Sequence, residues 1–129
     1  MLGDMPAAAT IAVSEMKRAR EFYEGVLGLT VTQDLGAAVV YRSGASAVFV
    51  YESEFAGTNK ATSATWAAGD AFDDVVQALR DKGVTFEHYD DLPETSRDGD
   101  VHSFGDSGMQ AVWFKDPDGN ILNVGNAPA

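Results

Sequence analysis

Only two side chains in this sequence are imidazoles, His88 and His102, and they are the first groups to test for acid–base or metal chemistry. Their separation matches no local metal motif, and no cysteine exists to supply a thiolate ligand, a nucleophile or a disulfide. Serines are plentiful, but no Gly-x-Ser-x-Gly turn presents one as a nucleophile, and no Ser, His and acid stand in a suggestive arrangement. Glycine patterns that cradle phosphate are missing as well. Acid–base work by His102 with a carboxylate stays open, because neighbours in space need not be neighbours in sequence. The other group with evident chemistry is Trp113, whose indole offers a flat surface for stacking.

The charge balance narrows the partners. Twenty acids stand against nine bases, a formal charge of −11, with the densest patch at Tyr89-Asp90-Asp91-Leu92-Pro93-Glu94. Such a field repels phosphate backbones, so neither nucleic acid nor an anionic membrane is expected as a partner, whereas cationic small molecules are attracted. The same charge also serves solubility alone. No apolar run approaches the ~20 residues of a membrane span. The opening Met1-Leu2-Gly3-Asp4-Met5-Pro6 has no basic region and carries an early acid, so a secretory signal is not expected and the cytoplasm is the expected location.

The 129 residues suit one compact domain. Thr10 to Val13 is short, apolar and β-prone. Ser14 follows as a candidate N-cap, and Met16, Ala19, Phe22, Tyr23 and Val26 recur at helical spacing until Gly28. Strands are expected from Leu29, over Ala38 to Arg42, and over Ala47 to Glu52. The order then restarts. Ser63 to Ala67 reads as a strand, and Asp70 as the cap of a helix carrying Phe72, Val75, Val76 and Leu79, closed by Gly83. Val84 to Tyr89 alternates as a strand should, with His88 at the sheet's edge or rim. The polar stretch from Asp90 to about Gly108 reads as a long loop or lid that would carry His102. Gln110 to Lys115 and Ile121 to Val124 are joined by Asp116-Pro117-Asp118-Gly119-Asn120, a strong hairpin turn.

The expected fold is therefore α+β, a βαβββ unit occurring twice, with module 1 over about 7–56 and module 2 over about 57–126. Two such units can set their sheets side by side as a concave cleft with the helices outside. A unit that cannot bury its own face is expected to pair with another module or another chain.

The run Ala12-Val13-Ser14-Glu15-Met16, then Arg18-Ala19, Phe22-Tyr23 and Leu27-Gly28-Leu29, resembles the first helix of the glyoxalase/bleomycin-resistance (vicinal oxygen chelate) superfamily. Phe114-Lys115-Asp116-Pro117-Asp118-Gly119-Asn120 resembles that superfamily's closing hairpin. Each piece is weak alone; in this order and separation, over about residues 7 to 126, they are specific. The resemblance implies a vicinal oxygen chelate fold, a homodimer, and three metal-ligand positions in the metal-dependent members. Those positions fall here on Ala8, Ser63 and Asn123: a methyl, a hydroxyl and an amide. Zinc prefers imidazole, thiolate or carboxylate, and magnesium and manganese prefer several oxygens including carboxylates. No metal and no other cofactor is therefore expected.

Strand alternation extends those positions into a ligand face: Thr10 beside Ala8, Thr65 beside Ser63, and Ala111 beside Trp113, which the resemblance places in the pocket. Trp66 falls on the opposite parity, beneath the second helix. Trp113 competes between pocket and core, since large aromatics are mostly buried wherever they occur. Tyr41, Phe49 and Tyr51 lie on strands whose facing the sequence leaves open; they are candidates for ligand contact or for packing. His102 is a candidate lid residue or a loop histidine without a role.

Two function classes follow. One is a binding protein that holds an aromatic antibiotic or secondary metabolite, a cationic one being favoured by the charge, in a cleft of a homodimer. The bleomycin-resistance type in this superfamily works in that way without metal. The other is an enzyme: a glyoxalase-like lyase or isomerase, a dioxygenase or a thiol transferase, metal-dependent or metal-free. The vacant ligand positions and the cleft aromatic favour the first.

Overall fold

A computed structural model describes residues 1–128 and has α+β architecture, with two sheets and two principal helices. The chain forms two compact units, 1–64 with 116–120, and 65–115 with 121–129. The second unit's last residue, Ala129, lies outside the described part.

In the first unit, strands β1 (Ala9–Val13), β2 (Thr30–Asp34), β3 (Ala38–Ser43) and β4 (Ser46–Glu52) make a four-stranded sheet in the order β1-β4-β3-β2. β1 and β4 are parallel and the other pairs antiparallel. One side carries Ile11, Val13, Val39, Val48 and Val50, all buried. Helix α1 (Met16–Arg20) continues as a π-helical stretch over Glu21–Val26, and contributes Met16, Ala19 and Tyr23 to the core. Gly28 ends it at φ 74°, the left-handed residue expected there.

The start of α1 departs from expectation. Ser14 does not cap it: Glu52 Oε2 accepts the Met16 N–H at 3.0 Å. Ser14 instead donates its N–H and O–H to the Asp118 carboxylate, which also pairs with Arg18 at 2.9 Å. A carboxylate with a fixed arginine beside it outcompetes a local cap as partner for the hydroxyl. Gly57 lies close against the same turn. At φ 72° it sits where a Cβ would collide with the Asp118 carbonyl oxygen, so no larger residue fits.

The turn itself is built on Asp116. Its backbone N–H donates to the Asn120 carbonyl at 3.0 Å, and its side chain accepts from the N–H groups of Asp118 and Asn120 and from Asn120 Nδ2. Gly119 takes φ 87°, the positive value the sequence demanded. Asn120 Nδ2 also donates to the Ala12 carbonyl of β1 at 2.7 Å.

The second unit carries helix α2 (Phe72–Asp81), preceded by a 3₁₀ turn over Gly69–Ala71. That turn displaces Asp70 from the cap position, and the helix starts after Ala71 with no side-chain cap. Phe72, Val76 and Leu79 form the buried stripe, and Gly83 closes the helix at φ 86°. The sheet has the order β5-β10-β9-β8-β7, from strands β5 (Thr62–Ala67), β7 (Thr95–Asp98), β8 (Val101–Phe104), β9 (Gln110–Lys115) and β10 (Ile121–Gly125). A two-residue strand β6 (Phe86–Glu87) also pairs with β9.

The expected loop from Asp90 to Gly108 is the largest correction. Its middle is the hairpin β7–β8, turned at Gly99 with φ 61°. The strand expected over Val84 to Tyr89 shrinks to Phe86–Glu87, because β8 takes over as the partner of β9 at His102↔Ala111.

Candidate functional site

Register decides which side chains of the second sheet share a face, since directly paired residues point the same way. Trp113 pairs with Asn123 on one side and Glu87 on the other, and Ala111 pairs with Gly125 and His102. Val112, Phe114, Leu122, Val124 and Phe86 occupy the opposite face and are buried; Phe86 and Phe114 meet edge to face at 6.2 Å. Trp113 is thus not on the apolar core side of its own sheet. It stays half-buried and is contacted edge-on by His102 at 4.9 Å and Tyr89 at 5.6 Å, with Phe104 tilted against it at 6.2 Å.

His102 is neither a lid residue nor an exposed loop histidine. It stands in β8 and is 1% exposed. Its Nε2 accepts the Tyr89 backbone N–H at 3.0 Å, which leaves the proton of the neutral ring on Nδ1. Burial, helped by the Arg97 guanidinium, lowers its pKa and holds the ring neutral. Among the described residues, two buried side-chain atoms lack a hydrogen-bond partner, and both belong to this cluster: His102 Nδ1 and Tyr89 Oη. The cations near it are engaged. Arg97 binds Asp90 through two nitrogens and donates to the Gly99 carbonyl, and Lys115 lies 3.2 Å from Glu87. His88 lies outside the cluster, exposed and paired with Asp100 at 2.9 Å.

Asn123 is buried, and its Nδ2 donates to the Val112 carbonyl at 3.1 Å. Ala111 is buried beside it, while Thr65 is exposed on β5. Trp66 is half-buried with the parity of Ala64, opposite to Thr65.

On the first sheet, Thr10 pairs with Phe49 and Ala12 with Tyr51. Phe49 and Tyr51 therefore lie on the face away from α1, half-buried and stacked at 5.9 Å. Tyr41 does not. It pairs with Val48, is fully buried on the helix side, stacks on Tyr23 at 6.2 Å and donates its hydroxyl to Glu24 at 2.8 Å. It is a core residue, because β3 turns its odd-numbered side chains toward the helix. Ala8 is exposed beside an open depression of about 400 Å³ bordered by Pro6, Arg42 and Ala47.

The donor set does not fit a divalent ion. Ala8 has no donor atom, the Ser63 hydroxyl accepts from Asn59 Nδ2 at 3.3 Å, and Asn123 offers only a neutral amide oxygen. Among the described residues no three His, Asp or Glu side chains converge on a point.

Tyr89 and Phe104 were missed from sequence. The available signal was Asp98-Gly99, a strong hairpin dipeptide, followed by alternation in Val101-His102-Ser103-Phe104.

The sequence profile of the Glyoxalase/Bleomycin resistance protein/Dioxygenase superfamily matches residues 6–124, and the chain belongs to that superfamily. No curated protein matches it. Solved structures share the fold at low identity. A glyoxalase/bleomycin resistance protein/dioxygenase from Alicyclobacillus acidocaldarius is 15% identical with a TM-score of 0.69, covering 93% of this chain and 89% of the other. An integron cassette protein from the mobile metagenome of the Halifax Harbour sewage outfall is 16% identical at TM-score 0.67, covering 95% and 97%. The fosfomycin resistance protein FosX from Mesorhizobium loti is 13% identical at 0.65, covering 95% and 91%. No helix is long and apolar enough to cross a membrane among the described residues.

Proposed function

We propose that this protein is a metal-independent binding protein that sequesters a flat aromatic small molecule, of the antibiotic or secondary-metabolite kind, and that it acts as a homodimer in the cytoplasm. The observation that carries the reading is Trp113: a half-buried indole on the sheet face opposite α2, braced edge-on by His102 and Tyr89. A rigid indole fixed by perpendicular neighbours offers its remaining exposed surface to a ligand at little cost in conformational freedom. The small neutral neighbours Ala111 and Asn123 leave room beside it, and Thr65 adds a hydroxyl on β5. Thr10, Phe49 and Tyr51 are the corresponding candidates on the first sheet. A fosfomycin resistance protein among the fold relatives suits a resistance role. The charge of −11 favours a cationic over an anionic ligand.

The test is indole fluorescence quenching in a Trp66→Phe background, with thermal shift, against aromatic antibiotics and metabolites, with and without zinc or manganese. A tight hit that needs no metal and is recovered unchanged supports sequestration. Binding or turnover only with metal overturns it in favour of an enzyme.

A further inference from the structure

The aromatic cluster has a second property. His102 Nδ1 carries a proton, because Nε2 is occupied as the acceptor for the Tyr89 N–H. The Tyr89 hydroxyl keeps its proton too, burial raising its pKa above the ordinary phenol value. Both groups are therefore donors and both are buried; the Tyr89 hydroxyl has no acceptor, and His102 Nδ1 makes no well-formed hydrogen bond, the Asp100 carbonyl being the backbone acceptor on its side. Folded proteins seldom retain buried donors without a partner unless something else supplies one. Both rings abut the half-buried Trp113, and both atoms are closed to solvent, so a molecule seated at the indole would supply the acceptor by displacing the edge of either ring.

We propose that the ligand of this face is an aromatic molecule bearing a neutral acceptor oxygen, an aryl ketone or quinone, whose carbonyl takes hydrogen bonds from His102 Nδ1 and Tyr89 Oη. This rests on reading the Trp113 face as a ligand platform. A neutral oxygen fits better than an anion. Arg97 and Lys115 are already paired with Asp90 and Glu87, and the chain's charge of −11 opposes a negative group. Two uncharged donors match a carbonyl, which accepts on two lone pairs.

The experiment compares menadione with methylnaphthalene, the same fused ring system with and without carbonyls, on the full chain. The absence of cysteine removes thiol addition as a complication. Calorimetry gives affinities, and nitrogen–proton correlation spectra of labelled histidine follow His102, with exposed His88 as internal control. Menadione is expected to bind about tenfold tighter, the upper range for one good hydrogen bond, and to move the His102 Nδ1–H signal. The hydrocarbon should leave that signal in place. Tyr89→Phe should remove much of the preference for menadione without weakening the hydrocarbon. Equal binding of the two compounds with a static His102 signal overturns the carbonyl assignment while leaving the platform reading intact. Failure of both compounds to bind overturns the two together.

Discussion

The Tyr23 hydroxyl donates to Asp116 Oδ2 at 2.7 Å across 93 residues of sequence. Both groups are buried, and each belongs to one of the two short motifs by which the sequence resembles its superfamily. The motifs are thus the two ends of one hydrogen bond. Asp116 accepts four bonds in all: from Tyr23, the Asp118 and Asn120 N–H groups, and Asn120 Nδ2.

Removing one donor leaves the other three in place. Tyr23→Phe should destabilise the protein by about 1–2 kcal/mol, whereas Asp116→Ala, which strands every donor at once, should lose about 3 kcal/mol or more. Urea denaturation midpoints measure both. Equal losses for the two variants would mean that the tyrosine is the only partner that matters.

Alkaline pH should attack the same region. Burial first and the nearby Asp116 next raise the Tyr23 pKa far above its usual value; burial and Glu24 raise that of Tyr41. Both phenols stay protonated when folded, while in the unfolded chain they ionise near pH 10. Stability is unaffected below about pH 10 and falls as pH rises above it. A Tyr23→Phe/Tyr41→Phe variant, less stable at pH 8, should show a shallower alkaline decline in melting temperature.

His102 predicts an acid-side effect in a different window. Its folded pKa lies below the unfolded value of about 6.5, so the neutral-ring contribution is complete above that pH. It is lost as pH falls below about 6.5 and toward the folded pKa. Glu24, Asp34, Asp90 and Asp100, each lowered chiefly by hydrogen bonds, act later, below about pH 4. Melting curves between pH 7 and pH 5 should slope for the native chain and flatten for His102→Gln.

Trp113→Ala should weaken binding of an aromatic ligand by about 1–3 kcal/mol, read by calorimetry with the ligand found in the screen. Unchanged affinity together with a collapsed melting temperature would return Trp113 to the core.

Much of this architecture was legible in the sequence for physical reasons. The α1 stripe Met16, Ala19 and Tyr23, the α2 stripe Phe72, Val76 and Leu79, and the Asp116 turn are local patterns whose burial follows from their period. The facing of Tyr41 was not legible, because β3 carries apolar residues on both faces and alternation alone cannot choose between them. The β7–β8 hairpin was hidden by its composition. Thr95-Ser96-Arg97-Asp98 looks like loop, yet Arg97 folds back onto Asp90 and Gly99, and Thr95 onto Leu92. With the hairpin went the placement of His102, whose burial depends on a partner strand that its own residues do not announce. The Ser14 cap failed similarly: its competitor, Asp118, lies 104 residues away.

The first unit is not a continuous piece of chain, since it needs residues 116–120 as well as 1–64. A gene cut at the end of β4 would therefore encode a half-protein with a stranded tyrosine hydroxyl in its interior and no carboxylate for Ser14 or Arg18. Such a fragment should recover its fold only when the distal peptide is added back. The first unit is thus written in two separate stretches of the gene, and residues 1–64 cannot be inherited as a folded piece without the turn at 116–120.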